Sequence, residues 1–214
     1  MRVRVFGNNM DGISDFAFRM MSLMYVFRDR FTSPWSLLDE FGIARGQTVV
    51  DYGCGPGSYL KRVSELVGPE GRVWAVDIHE LAIKAVRRQI DKEQMSNVTA
   101  VQADGMRSSL PNETADLIYA LDMFHMVSSP KEFLRELNRI CKSKGSLFID
   151  NGHQSRDEAR LKLRSSGMWE IVEEKKRYLK CSPVKKGGHS PSSWAPGQEE
   201  ADAFGYFQLN STRR

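Results

Sequence analysis

Asp51 stands two residues ahead of three glycines at alternate positions, in Asp51-Tyr52-Gly53-Cys54-Gly55-Pro56-Gly57. Glycines so spaced let a backbone turn tightly and approach a ligand closely. A dinucleotide fingerprint needs its third glycine one position later, where Ser58 stands, and a Walker loop needs a Gly-Lys-Ser or Gly-Lys-Thr ending that is absent. An acid facing such a loop is poorly suited to pyrophosphate and well suited to an ammonium group. Further acids follow at regular stations. Asp77 comes twenty positions after Gly57, Asp104 precedes Gly105, and Asp122 and the Asp150-Asn151 pair lie beyond; His125 and His153 stand nearby. A carboxylate can accept two hydroxyl hydrogen bonds at once, so an acid in Asp77's place suits a vicinal diol.

The elements that must position these residues alternate between strand and helix patterns from 47 to about 181, which predicts an α/β fold with a mostly parallel sheet covered on both faces. Strands are expected at 48–52, 72–77, 98–103, 115–121 and 146–150. Two more, 169–174 and 177–181, are close enough in sequence to pair antiparallel. Helices are expected at 58–67, 80–94 and 130–140, the last with Phe133, Leu134, Leu137 and Ile140 on one face. Ser155 and Glu158 predict a capping box for a helix to Ser166. Every acid named above then falls at or just beyond a strand's carboxyl end, where open α/β sheets bind ligands.

On these motifs the sequence resembles class I S-adenosylmethionine-dependent methyltransferases, from residue 47 to about 150. The resemblance implies a Rossmann-like methyltransferase fold with a seven-stranded sheet, and S-adenosylmethionine as methyl donor with S-adenosylhomocysteine as product. It implies that Gly53, Cys54, Gly55 and Gly57 form the donor loop under Asp51, and that Asp77 holds the ribose hydroxyls while Ile78 packs on adenine. Asp104 and Gly105 would lie at the adenine amino group, and Leu121 beside the methionine portion. Cys54 reads as a small filler rather than a nucleophile. The usual Pro-Gly-Gly turn after the 130–140 helix appears only as Ser143-Lys144-Gly145. The overall plan looks most like relatives that include quinone-biosynthesis and arsenite methyltransferases, although Cys141 and Cys181 are poorly placed for arsenite chemistry.

The acceptor is expected over the ends of the fourth and fifth strands, with His125 and His153 as candidates for contacting it or taking its proton. Asp122, Asp150 and Asn151 also occupy the strand ends where catechol-type relatives hold magnesium. Because Met-Phe-His follows Asp122, the metal-independent reading is preferred, with no metal ligands assigned. Residues 1–46 read as an extension with a Met- and aromatic-rich helix at 15–30 and a short helix at 35–41. That extension would serve as a lid over a partly apolar acceptor or as core packing. Residues 182–214, rich in Pro, Gly, Ser and Lys, read as a disordered tail anchored only by Trp194, Phe204, Tyr206 and Phe207.

Composition narrows the function classes. A net charge of +4 on 214 residues is too mild and too scattered for a dedicated nucleic-acid module. The fourth-strand loop reads Leu-Asp-Met-Phe rather than the Asn/Asp-Pro-Pro-Tyr pattern of amino-directed nucleic-acid methyltransferases. RNA or protein methylation, and donor binding without catalysis, stand as rivals to a small-molecule enzyme. Three dispersed cysteines without a CxxC pair make no disulfide framework. Without a signal-peptide pattern or an apolar run of spanning length, a cytoplasmic setting is expected. Oligomeric state is not legible.

Overall fold

The computed structural model describes residue 20 and residues 35–185. The helix expected at 15–30, apart from Met20, and the tail anchors Trp194, Phe204, Tyr206 and Phe207 lie outside the described residues. Seven strands form one sheet in the order β3-β2-β1-β4-β5-β7-β6. They are β1 (Thr48–Tyr52), β2 (Arg72–Asp77), β3 (Val98–Gln102), β4 (Ala115–Ala120), β5 (Cys141–Ile149), β6 (Trp169–Glu174) and β7 (Leu179–Pro183). Strands β3 to β5 in that order pair in parallel. β7 slots between β5 and β6 and runs antiparallel to both, as its short link from β6 requires. The chain winds outward in one direction from β1 through β2 to β3 and then restarts at β4 on the other side of β1. This reversal opens a crevice between the ends of β1 and β4.

Helices α1 (Ser36–Asp39), α2 (Leu60–Val67), α3 (Glu80–Glu93), α4 (Pro130–Ile140) and α5 (Arg156–Ser166) supply the covering layers. Parallel strands buried on both faces need apolar residues at nearly every position; Val49, Val50 and Tyr52 of β1 are all buried. One cluster joins Phe133, Leu134, Leu137 and Ile140 of α4 and Ala159 and Leu163 of α5 to Ile118 and Leu147. The other joins Leu60, Val63 and Val67 of α2 and Val86 of α3 to Val49, Tyr119 and Phe148.

Several boundaries differ from the sequence expectation for local reasons. The helix expected from Ser58 begins at Leu60, because Gly55 to Tyr59 spend themselves in turns around the glycine loop. β5 begins at Cys141, five residues early. Its register with β4 passes from Ala115↔Cys141 to Leu117↔Ser146, so the residues between bulge out where a turn was expected. Lys142 on that bulge bonds Asp116 at 2.7 Å. β7 extends to Pro183, two residues past the expected core boundary. Beyond it Val184 N donates to Met168 O, and Lys185 Nζ donates to the carbonyls of Asn138 and Cys141 at the end of α4. Ser155 caps α5, its Oγ accepting from Glu158 N at 3.1 Å. The Glu158 carboxylate lies 3.4 Å from Lys162.

The segment before β1 belongs to the packed core where it is described. Leu38 and Phe41 are buried, and Phe41 stacks on Phe148 with ring centroids 4.2 Å apart. Arg177 ties α1 down through Ser36 and Glu40. Trp35 Nε1 donates to Ser58 O, so this segment also reaches the glycine loop.

Candidate functional site

A narrow crevice lies at the carboxyl end of the sheet where its winding reverses. Gly53 borders it from the glycine loop, Asp77 and Ile78 from the end of β2, and Gly105 and Met106 from the turn after β3. Met123 and Val127 close it around a 3-10 turn, Phe124–Met126, and Tyr52 and Phe133 complete the lining. Tyr52 and Phe133 meet edge to face at 5.6 Å, and Tyr52 OH donates to Met106 O at 3.0 Å. The surface it presents is apolar, with Asp77 at its border turned to backbone donors, and an apolar cleft suits a flat ring.

Asp77 is held in place by the backbone. Its Oδ2 accepts from Gly55 N at 2.9 Å and its Oδ1 from His79 N at 2.8 Å. Burial raises its pKa, and these two N–H groups work against that rise. A carboxylate accepts about four hydrogen bonds, and with the Ile78 N–H also drawn to it it keeps acceptor capacity for a further donor. The same acid thus fixes the glycine loop and offers itself to a diol. His79 also caps α3, its Nδ1 accepting from Leu81 N.

The loop's geometry follows from its glycines. At Gly53, φ is +84° and a Cβ would stand 2.9 Å from Met123 Cγ, so only glycine lets β1 and the 3-10 turn close on each other. Cys54 is buried, and burial followed by the charges of Asp51 and Asp77 raises its thiol pKa well above the ordinary value. Such a thiol is inert, as its reading as a filler requires. Gly57 N donates to Cys54 O, and Gly57 borders an open groove facing Arg88 and Gln89 of α3, away from the crevice.

Asp51 lies beneath the loop, 2% exposed, with its pKa pushed up to about 8, chiefly by burial. Thus Gly53, Asp77, Ile78 and Gly105 come together on the crevice wall, Asp51 and Cys54 lie under it, and Gly55 reaches it through Asp77. Asp104 sits on the exposed turn next to Gly105 and is not part of the lining. Leu121 packs in the core beside Cys54 and Tyr119, and the wall position beyond β4 falls to Met123. Sequence reasoning missed Tyr52, Met106, Met123, Val127 and Phe133. Each is an ordinary apolar core residue by type, and only the crossing of β1, the β3 turn and the 3-10 turn makes them neighbours.

A second group gathers beyond β4 and β5. His125 and His153 meet edge to face at 4.9 Å, and Gly152 is packed so tightly on His125 that a Cβ there would fall 2.1 Å from Nδ1. Burial and then His153 lower the His125 pKa, so its ring is neutral at pH 7 and able to take a proton. Asp150 accepts from Asp122 N with both oxygens at 3.1 Å, while Asp122 holds a left-handed φ of +59°. Asn151 Nδ2 donates to Gln154 O at 3.0 Å. Among the described residues no group of three or more His, Cys, Asp or Glu side chains is arranged to hold a metal ion.

Asp150 has its pKa pushed up to about 7, by burial first and then by the charge of Asp122. A raised pKa means the folded chain keeps a proton that the unfolded chain releases near pH 4. This contribution to stability is therefore present in acid and is lost as pH rises toward 7. Asp150→Asn should flatten that slope, so the gap between wild-type and variant unfolding midpoints should change between pH 5 and pH 8. A constant gap in denaturant melts would refute it.

A family model described as a methyltransferase domain matches residues 50–149. Over 109 residues the chain is 33% identical to the ubiquinone/menaquinone biosynthesis C-methyltransferase UbiE of Pseudomonas fluorescens, covering 50% of this chain and 43% of that protein. The chain thus spans less than half the length of the curated relatives it matches. A crystal structure of an S-adenosylmethionine-dependent methyltransferase from Aquifex aeolicus superposes with a TM-score of 0.66 at 30% identity, over 73% of this chain and 93% of that one. The cyclase SpnF shares the fold alone, at 19% identity and a TM-score of 0.54 over 73% of this chain and 59% of its own. No described helix is long and apolar enough to cross a membrane. Matching that Aquifex aeolicus enzyme at 30% identity over 93% of its length, the chain belongs to the class I S-adenosylmethionine-dependent methyltransferases.

Proposed function

We propose that the protein transfers a methyl group from S-adenosylmethionine to a small, partly apolar acceptor, by in-line displacement at the sulfonium methyl. The observation that carries the reading is Asp77, buried at the border of an apolar crevice at the sheet's switch point with acceptor capacity left for a diol. Asp77 takes the ribose hydroxyls and Ile78 lies against adenine, with Gly105 and the exposed Asp104 toward its amino edge. The backbone of Gly53, Cys54, Gly55 and Gly57 follows the amino-acid portion, and Leu121 supports that wall from behind. Asp51 faces the ammonium.

The sulfonium supplies its own activation, so the protein's task is alignment and exclusion of water. An electron pair of the acceptor forms the new bond to the methyl carbon while the carbon–sulfur pair returns to sulfur. Where the acceptor carries a proton on the attacking atom, our reading gives that proton to neutral His125, which lies beside His153. A partly apolar acceptor, of the kind implied by the quinone-biosynthesis relatives, suits the Met-rich surroundings of Met106, Met123 and Met126, since methionine adapts its packing. Asp150 is engaged by the Asp122 backbone and Asn151 by the 154 carbonyl, so a magnesium-independent reaction is inferred.

Labelled methyl donor offered with a prenylated quinol, an RNA pool or a protein pool tests this directly. Label is expected in the quinol, unchanged by chelator and reduced at least tenfold by His125→Ala. Label in RNA or protein instead, or tight donor binding with no transfer to any pool, would replace the small-molecule reading with one of its rivals. Loss of transfer on chelation would overturn metal independence.

A further inference from the structure

Resting on the donor-site reading above, we propose that Tyr52 is a positioning residue for the donor. Its hydroxyl holds the turn after β3 at a fixed distance from β1, and so sets the gap that takes the adenine ring.

Tyr52 closes β1, and its parity with Val50 turns its side chain to the face of the sheet that α4 covers. As packing, a phenylalanine would serve there equally well: the ring meets Phe133 edge to face at 5.6 Å, and the residue is only 3% exposed. The hydroxyl is what a core position does not need, because taking it out of water costs free energy unless it finds a partner. Here the partner lies 54 residues along the chain, where Tyr52 OH donates to Met106 O at 3.0 Å. Burial, and then the charge of Glu136, raise the pKa of the phenol, which keeps it protonated as a donor.

The turn from Asp104 to Arg107 is closed by its own backbone. Asp104 N donates to Arg107 O at 2.9 Å and Arg107 N to Asp104 O at 3.1 Å, around a left-handed Gly105. These bonds fix the shape of the turn but not its distance from β1. At its root Ala103 N donates to Asp77 O, and beyond it Ser108 is held by Glu136 of α4. Between those anchors lies the tip, Gly105 and Met106, which lines the crevice with Gly53 and Ile78. Tyr52 ties that tip to β1 and is itself part of the crevice wall. Ser108 also lies at the phenol oxygen, so the tie continues into the network of Glu136 and Arg139. Without the phenol bond the walls on either side of the ring are free to part.

Tyr52→Phe keeps the ring and removes the tie. Titration calorimetry on the full chain, well below its melting midpoint, compares S-adenosylhomocysteine with 5′-methylthioadenosine, which shares the adenosine and lacks the amino-acid portion. Both affinities are expected to fall by the same factor, about fivefold, the worth of one hydrogen bond. In the labelled-donor assay the donor KM should rise by that factor while kcat and the acceptor KM stay at wild-type values, a split that lost stability alone does not produce. In the ligand-free protein, amide hydrogen exchange over 104–108 should quicken. Tyr178→Phe, which takes a hydroxyl from another buried ring on the opposite face of the sheet, should change none of these. Undiminished nucleoside affinity in folded Tyr52→Phe, a loss confined to S-adenosylhomocysteine, or an equal loss in Tyr178→Phe would overturn the proposal. If neither nucleoside binds the folded wild type, the donor-site reading itself fails, and Tyr52 is then a structural tie whose strength the exchange rates report separately.

Discussion

Asp77→Ala should lose at least 100-fold in affinity for S-adenosylhomocysteine. Two hydroxyl hydrogen bonds to a charged carboxylate are at stake, each worth about 1.5–3 kcal/mol, and every 1.4 kcal/mol is about tenfold. The loss should exceed the ribose contribution alone. Removing the carboxylate also strands Gly55 N and His79 N, now held at 2.9 and 2.8 Å, and so frees the glycine loop that the donor lies on. Asp77→Asn separates the two effects. Its amide oxygen can still accept from one of the two backbone donors, but its NH2 opposes the other, so an intermediate loss is expected. Titration calorimetry on both variants, with circular dichroism to confirm folding, makes the comparison. Undiminished affinity in a folded Asp77→Ala protein would remove Asp77 from the donor site.

Glu136→Ala should be the most destabilising single change outside the apolar core, at about 3 kcal/mol, the scale for breaking a buried charged network. Glu136 lies on α4 and is only 6% exposed. Its Oε1 accepts from Ser108 N at 2.9 Å, from Ser108 Oγ at 2.7 Å and from Arg139 at 2.7 Å, and its Oε2 accepts from Arg139 Nε at 2.8 Å. Arg139 in turn donates to Leu110 O, Ser108 O and Asn112. The network pins the segment after β3 onto α4, and that segment carries Gly105 and Met106 to the crevice. At about 2–4 °C per kcal/mol for a chain of this size, the melting midpoint should fall by roughly 6–12 °C. Donor affinity should fall as well, since Tyr52 and Met106 lose their fixed spacing. Burial alone would raise the Glu136 pKa, but the Arg139 and Ser108 hydrogen bonds outweigh it and leave it lowered. The clamp's stability is therefore present above the ordinary glutamate range and lost as pH falls through it. A Glu136→Ala midpoint within 2 °C of wild type would show that the network contributes nothing net.

Much of the fold was legible because local patterns and tertiary demands agree. β1, β2, α4 and β6 occur at their expected bounds. Each combines the right apolar period with a decisive stop, such as Gly53 after β1 and Pro130 at the first turn of α4. The misplaced boundaries lie where local signals conflict with pairing. Cys141-Lys-Ser-Lys-Gly has a polar, turn-like composition, yet the edge of β4 recruits it into β5 through a bulge. Ser182-Pro183 looks like the start of a tail, yet β6 pairs with it.

The glycine loop and the acid closing β2 were legible to the same degree and for a related reason. Asp51, Gly53, Gly55 and Asp77 are fixed by short-range geometry: a strand end, a tight turn, an acid aimed across it. Residue type and spacing along the chain are enough to express such geometry. What only the tertiary structure decided are the contacts between segments far apart in sequence. These include Met123 closing on Gly53, Tyr52 bonded to Met106, His125 meeting His153, and Asp150 spent on the Asp122 backbone. The pairing of Asp51 with Tyr119 is the sharpest case. Nothing in either local sequence marks the two as partners; the parallel register of β1 and β4 sets them side by side in the core.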